Sequence, residues 1–253
     1  MAAILTYHHI APPPDGEPRN LCVAPQSFTG QMAYLSELGY HAVTLDDVRE
    51  ELLGRRSLPR RSVAITFDDG GADNYCNALP LLCRHGFRAT VFLVAGKIGM
   101  DRDQPGWPEA ARRYLSEDEI AEMGRCGIVF GSHTLTHVRL QKVEPEQCDY
   151  ELTESRKRIE EITGGRVGWL SYPFGNFSRR VIKSAKQAGY AGAVSTIRDN
   201  RPARRQLYYL PRVMVMSDTT LRRFAYYLSP WYHWLHWLKN RRRWGRYDRE
   251  TET

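Results

Sequence analysis

Apolar positions along this chain switch repeatedly between two periods. Residues 3–7, 63–67, 89–94, 167–172 and 191–194 form short, nearly continuous apolar runs, the pattern of buried strands. Residues 41–44, 127–131 and 207–214 read as further strands. Between them the spacing turns helical: residues 27–38 put Phe28, Met32, Leu35 and Leu38 on one face. Residues 46–53, 73–85, 144–163 and 178–188 follow as helices, and Ser116-Glu-Asp-Glu119 matches a capping box opening a helix to about Arg125. A polar loop with Trp107 spans 97–115. Strands alternating with helices predict a mostly parallel sheet covered by helices. At 253 residues, one closed or partly closed α/β barrel fits better than two domains.

The chemistry gathers where strands end, which in α/β barrels is the functional rim. SVAITF runs straight into Asp68-Asp69-Gly70, and adjacent carboxylates disfavour joint ionisation, so a compensating cation is implied. His133 and His137 follow the strand near Gly131; four residues apart, they would share one face of a helical turn. Two imidazoles and one carboxylate leave positions open for water and substrate, as catalytic metal sites require. The second carboxylate is then free to act as a base. The turn Tyr172-Pro173-Phe174-Gly175 ends another strand and offers a backbone N–H toward an oxyanion.

Composition narrows the setting. The net charge is +7, with arginines crowded at 198–212 and 239–249, which points to nucleic acid, anionic lipid or an acidic glycan without choosing among them. Five scattered cysteines without a C-x-x-C pair fit a reducing cytoplasm, and Cys76 and Cys83, seven apart, read as buried on one helical face. The opening MAAILTYHHI reads as a strand rather than a signal peptide, and no apolar run is long enough for a membrane span.

TFDDG, SHTLTH and YPFG, in this order and spacing, resemble the polysaccharide deacetylases, or family-4 carbohydrate esterases. The run of LTYHHI, GYHAVTLDDV, ATVFLV and LPR is most similar to the branch containing poly-N-acetylglucosamine deacetylases. The resemblance covers residues 3–216 and implies a single-domain distorted (β/α) barrel with fewer than eight regular strands. It implies one divalent metal ion on Asp69, His133 and His137, with Asp68 as catalytic base. Zinc is the default, with nickel, cobalt and iron as alternatives. The implied reaction is hydrolysis of an N-acetyl group from an amino sugar in a glycan, oligosaccharide or lipid-linked precursor. The wider family often has an arginine before the P-[YF]-G turn, where Ser171 and Tyr172 stand; Arg212 is a candidate substitute for orienting Asp68, or a structural ion pair. The late histidine of the wider family is also missing. Alternation turns only one of His8 and His9 inward, and the resemblance favours His8 as the acid. Asp73 and Asn74 read as helix caps.

The catalytic unit is thus expected at 1–224, followed by a basic aromatic tail at 225–253. Within 228–247, Trp231, Trp234, Leu235 and Leu238 would form one apolar face beside arginines. That suits a membrane interface or a helix packed on the barrel; nucleic acid is not expected. Other readings of the same residues are an amidohydrolase or esterase for another acylated small molecule, a non-catalytic glycan-binding protein, and a His-His-carboxylate iron oxygenase, which the adjacent carboxylates disfavour.

Overall fold

Every residue of SVAITF is buried, as an unbroken apolar run requires of a strand covered on both faces. The computed structural model describes residues 2–12, 21–102, 107 and 109–251, with side chains of the last helix described as far as Asn240. In chain order the strands are β1 (Ala3–Tyr7), β2 (His9–Ile10), β3 (Cys22–Val23), β4 (His41–Ala42), β5 (Ser62–Phe67), β6 (Thr90–Leu93), β7 (Val129–Ser132), β8 (Trp169–Ser171), β9 (Gly192–Val194) and β10 (Val213–Met214). β2 and β3 pair apart from the rest; the main sheet runs β10-β1-β5-β6-β7-β8-β9, and all its pairings are parallel.

β5 meets β1 from Val63 to Phe67. Its other edge is shared, with β4 on Ser62 and Val63 and β6 on Thr66 and Phe67. Past β9, Leu210 bridges to Val194 and the chain then enters β10 beside β1, so the sheet curls nearly round on itself. This is a distorted (β/α) barrel in a single domain.

Helices α1 (Pro25–Glu37), α2 (Leu45–Leu52), α3 (Leu79–Arg84), α4 (Glu117–Arg125), α5 (Pro145–Thr163), α6 (Arg179–Gln187), α7 (Leu221–Tyr227) and α8 (Pro230–Thr251) accompany the sheet. α1 buries Phe28, Met32 and Leu35, while Leu38, just past its end, is exposed. α4 opens with the predicted box: Glu119 N donates to Ser116 Oγ and Ser116 N to the Glu119 carboxylate. No described helix is long and apolar enough to cross a membrane.

Two expectations are corrected. Cys76 and Cys83 are exposed, because a π-helical stretch (Asn74–Ala78) precedes α3 and turns Asn74, Ala78, Leu79 and Leu82 inward instead. Only Val213 and Met214 pair as a strand within 207–214, the earlier residues forming a turn after the 3-10 stretch Arg204–Gln206 and a bridge at Leu210. The tail is helical, and Tyr232 and Asn240 are buried on its inner side, while Trp231, Trp234, Leu235, Trp237 and Leu238 are exposed. The side chains of Arg241, Arg242, Arg243, Trp244, Arg246 and Tyr247 lie outside the described residues, as do residues 103–106 and 108 of the polar loop.

Candidate active site

Inward-facing positions change character layer by layer along the strands. Ile4, Ala64, Phe92, Trp169 and Val194 pack together in the lower interior. Two residues on, the same alternation brings Thr6, Thr66 and Ser171, all fully buried. Another step, past the strand ends, gives His8 and Asp68, and the β7 series Gly131 leads likewise to His133. The strand ladders extend to these positions: Asp68 N donates to Tyr7 O at 2.9 Å and His133 N to Leu93 O at 2.8 Å. Asp68 and His133 are therefore positioned by the sheet itself.

The small polar layer makes room for Arg212, which is 1% exposed. Its Nη1 and Nη2 donate to the two Asp68 oxygens at 2.8 and 2.6 Å. The remaining donors reach Thr66 Oγ1, Ser171 Oγ and Ser195 O at 3.0–3.1 Å. Ser171, standing where the wider family often has arginine, is thus part of the pocket that receives an arginine from just before β10. Burial raises the Asp68 carboxyl, but Arg212, together with His133 and His8, outweighs it and holds the pKa at about 2.

Asp69 faces differently. It adopts a left-handed backbone (φ 74°), followed by Gly70 at φ 71°, a strained turn that directs adjacent side chains to different tasks. Its Oδ1 lies 3.5 Å from both His133 Nε2 and His137 Nε2. Its Oδ2 accepts from Arg102 Nη2 at 3.0 Å. Burial would raise its pKa, but His8, His133, Arg102 and His137 drive it well below the usual carboxylate range.

His133 and His137 do not share a helical turn, contrary to the i,i+4 expectation. They lie on a loop in which Thr134 and His137 both have φ of 66°. Glu151 of α5, fully buried, holds that loop: its carboxylate accepts from Leu135 N at 3.0 Å, Thr136 N at 2.9 Å and Thr136 Oγ1 at 2.5 Å. Thr134 Oγ1 accepts from His137 N at 3.0 Å. Satisfied by these bonds, the four-residue spacing closes as a turn rather than a helix.

One donor atom each from Asp69, His133 and His137 lies within 4.8 Å of the others. His133 Nδ1 must donate to Ser171 O at 2.7 Å, since a carbonyl only accepts, which turns its Nε2 toward Asp69 Oδ1. Burial, then His133, lowers His137 to about 4, leaving it a neutral imidazole at pH 7. Two imidazole Nε2 atoms and an ionised carboxylate fit a divalent ion.

His8 faces the cleft with Nε2 4.0 Å from Asp68 Oδ2, while its buried Nδ1 has no hydrogen-bond partner among the described residues. Burial lowers its pKa, and the two aspartates partly offset this. His9 points away. Its Nδ1 pairs with Asp73 Oδ1 at 2.8 Å, and Ile10 N donates to Asp73 Oδ2 at 2.6 Å. Asp73 therefore anchors β2 instead of capping a helix, and Asn74 donates to His8 O at 2.9 Å.

In the strand-end turn, Tyr172 N and Gly175 N donate to Val194 O and Tyr172 O, and Pro173 has no N–H. The Phe174 N–H remains without a partner among the described residues, at φ 59°. Tyr172 is buried with its hydroxyl on Tyr208 O, whereas Phe174 is half exposed against His137, ring centroids 4.8 Å apart. Gly175 has φ 66°, and a Cβ there would meet Thr196 Oγ1 at 1.9 Å, so only glycine closes this turn. The groups enclose a cleft of about 450 Å³ whose walls also include Arg139 and Arg198.

A curled parallel barrel with an Asp-His-His cluster and an arginine-held second aspartate at its C-terminal rim defines a hydrolase-like architecture. The chain belongs to the polysaccharide deacetylase family, whose pattern matches residues 55–193. It is 29% identical over 226 residues to the Bacillus subtilis protein YxkH, covering 89% of this chain and 75% of that protein. It is 24% identical over 226 residues to the Staphylococcus aureus poly-β-1,6-N-acetyl-D-glucosamine N-deacetylase, covering 85% and 73%. In fold it is similar to the Streptococcus pyogenes deacetylase PplD in complex with acetate, with a TM-score of 0.82 at 23% identity over 90% of this chain and 98% of that one.

Arg102 and Glu151 were not singled out by sequence. Arg102 sits in a polar loop, and Glu151 is one of many charges on α5. A carboxylate on the buried stripe Cys148, Leu152, Ser155, Ile159 is the signal that marks Glu151.

Proposed function

We propose that this chain is a carbohydrate de-N-acetylase, hydrolysing the N-acetyl group of an amino sugar in a glycan, oligosaccharide or lipid-linked saccharide precursor. The observation that carries this reading is the meeting, in one cleft, of an Asp-His-His donor set with a second carboxylate clamped by arginine. Asp69, His133 and His137 would hold one divalent ion, zinc before nickel, cobalt or iron, which supplies a lowered water pKa and polarises an acyl carbonyl.

Asp68, ionised throughout the working pH range, accepts a proton from the attacking water. As the acetamide carbon becomes tetrahedral, the Phe174 N–H donates to the developing oxyanion. His8 Nε2 gives a proton to the sugar nitrogen as the C–N bond breaks, leaving acetate and a free amine. An amidohydrolase or esterase for another acylated molecule would use the same groups; the Staphylococcus aureus relative's activity favours the amino sugar.

Residues 1–224 would form the catalytic unit, with 225–253 as an appended segment. The exposed row Trp231, Trp234, Leu235 and Leu238 supports peripheral membrane contact through 228–247. Five cysteines, none of them in a disulfide, support a cytoplasmic placement, at the inner face of the membrane.

Acetate release from N-acetylglucosamine oligomers by the metal-loaded protein tests the reading. His8→Ala should lower turnover about 10²–10⁴-fold with metal content unchanged. Glycan binding without acetate release would favour a non-catalytic binding protein.

A further inference from the structure

Four arginines border the cleft or its carboxylates, and two of them are already matched. Arg212 neutralises Asp68 and Arg102 neutralises Asp69. Arg139 and Arg198 line the same cleft from two separate loops, after β7 and after β9. Neither guanidinium has a hydrogen-bond or ion-pair partner among the described residues. The Arg139 guanidinium carbon sits over the Phe174 ring, 3.9 Å from its centroid, a cation–π contact that holds the head group at the cleft wall.

The segment carrying Arg198 is also fixed. Its carbonyl accepts from Asn240 Nδ2 at 2.9 Å, and the neighbouring Asp199 pairs with His233 at 2.7 Å, both from α8. The cleft thus holds two surplus positive charges on anchored segments, and a divalent ion on the Asp-His-His set would add to them. A neutral glycan offers nothing to balance this excess. Guanidinium forks match the oxygens of phosphate and carboxylate groups.

We propose that the saccharide taken by this cleft carries an anionic group, phosphate or carboxylate, beside its N-acetylated residue, and that Arg139 and Arg198 hold that group. This rests on reading the cleft as a de-N-acetylase site. The test uses two matched pairs: a hyaluronan tetrasaccharide against its carboxyl-reduced form, and N-acetylglucosamine 1-phosphate against methyl N-acetylglucosaminide.

With metal-loaded full-length protein, kcat/KM for the anionic member of at least one pair should exceed that of its neutral partner about tenfold or more, the scale of one charge-assisted hydrogen bond. Which pair shows the preference assigns carboxylate or phosphate. In the R139Q/R198Q double variant the ratio should collapse toward one. Calorimetric binding of the same four compounds is measured in parallel. Anionic members that bind wild type but not the double variant, with no acetate released from any compound, would uphold the anion site and sink the deacetylase reading. Acetate released equally from neutral and anionic members, with ratio and binding unchanged in the double variant, would overturn the anion site and leave the deacetylase reading intact.

Discussion

Asp68 and Asp69 are neighbours in the chain, yet their surroundings are built from different parts of the molecule. The Asp68 side belongs to the barrel: its partners are Arg212, just before β10, and residues of β1, β5 and β8 that support both. Both Asp68 oxygens are taken by one guanidinium. The Asp69 side relies on loops, with Arg102 on Oδ2 and two histidines from the Glu151-held loop facing Oδ1. One carboxylate has both oxygens held by a guanidinium and is kept ionised; the other leaves one oxygen facing the two imidazoles. Rigid support suits a base that must stay put, and an oxygen left open suits a ligand.

The sharpest way to break this contrast is Arg212→Met. It leaves Asp68 as an uncompensated buried charge, a loss of about 3–5 kcal/mol in denaturant unfolding. The sign with pH follows from the lowered pKa. The stabilisation from Asp68 is present above its usual value of 3.8 and is lost as pH falls through about 2. In the variant that acid-side loss should vanish or reverse, because burial, no longer outweighed by Arg212, raises the folded-state pKa of Asp68 and protonation then relieves the buried charge. An unchanged acid limb would mean that Arg212 does not control Asp68.

Glu151→Gln should have a smaller effect, centred on the other side. A neutral amide keeps part of the loop's bonding, so a loss of about 1.5–3 kcal/mol is expected by unfolding, with weaker metal binding by titration. Stability loss with full metal affinity would separate the loop from the ligand set. Comparable in size, Arg102→Gln breaks a largely buried ion pair but keeps a neutral donor, so a loss of about 1–3 kcal/mol is expected. Its metal affinity should fall about 10–100-fold, as for other outer partners of metal ligands. No change in affinity would show that Oδ2 needs no holding.

Much of the barrel could be read from sequence because its strands are continuous apolar runs and its helices carry regular stripes. The α4 boundary was legible through a capping box that depends only on local residues. What escaped depended on distant partners. The spacing of His133 and His137 allows either a helix or a turn, and Glu151, well along the chain, decides it. Asp73 looks like a cap until β2 is placed beside it. A π turn, invisible to a 3.6-residue period, rotates Cys76 and Cys83 outward. Alternation turned only one of His8 and His9 inward and the family resemblance chose His8, whereas the role of Arg102 required the loop to be folded over Asp69.

The most direct test substitutes each aspartate by its near-isosteric amide and measures bound divalent metal and acetate release together, on chelator-stripped and zinc-reconstituted protein. Asp69→Asn should lose both the ion and turnover, while Asp68→Asn should retain about one ion per chain and lose turnover alone. Equal metal loss in both variants, or an ion retained in Asp69→Asn, would contradict the division of labour between the two carboxylates.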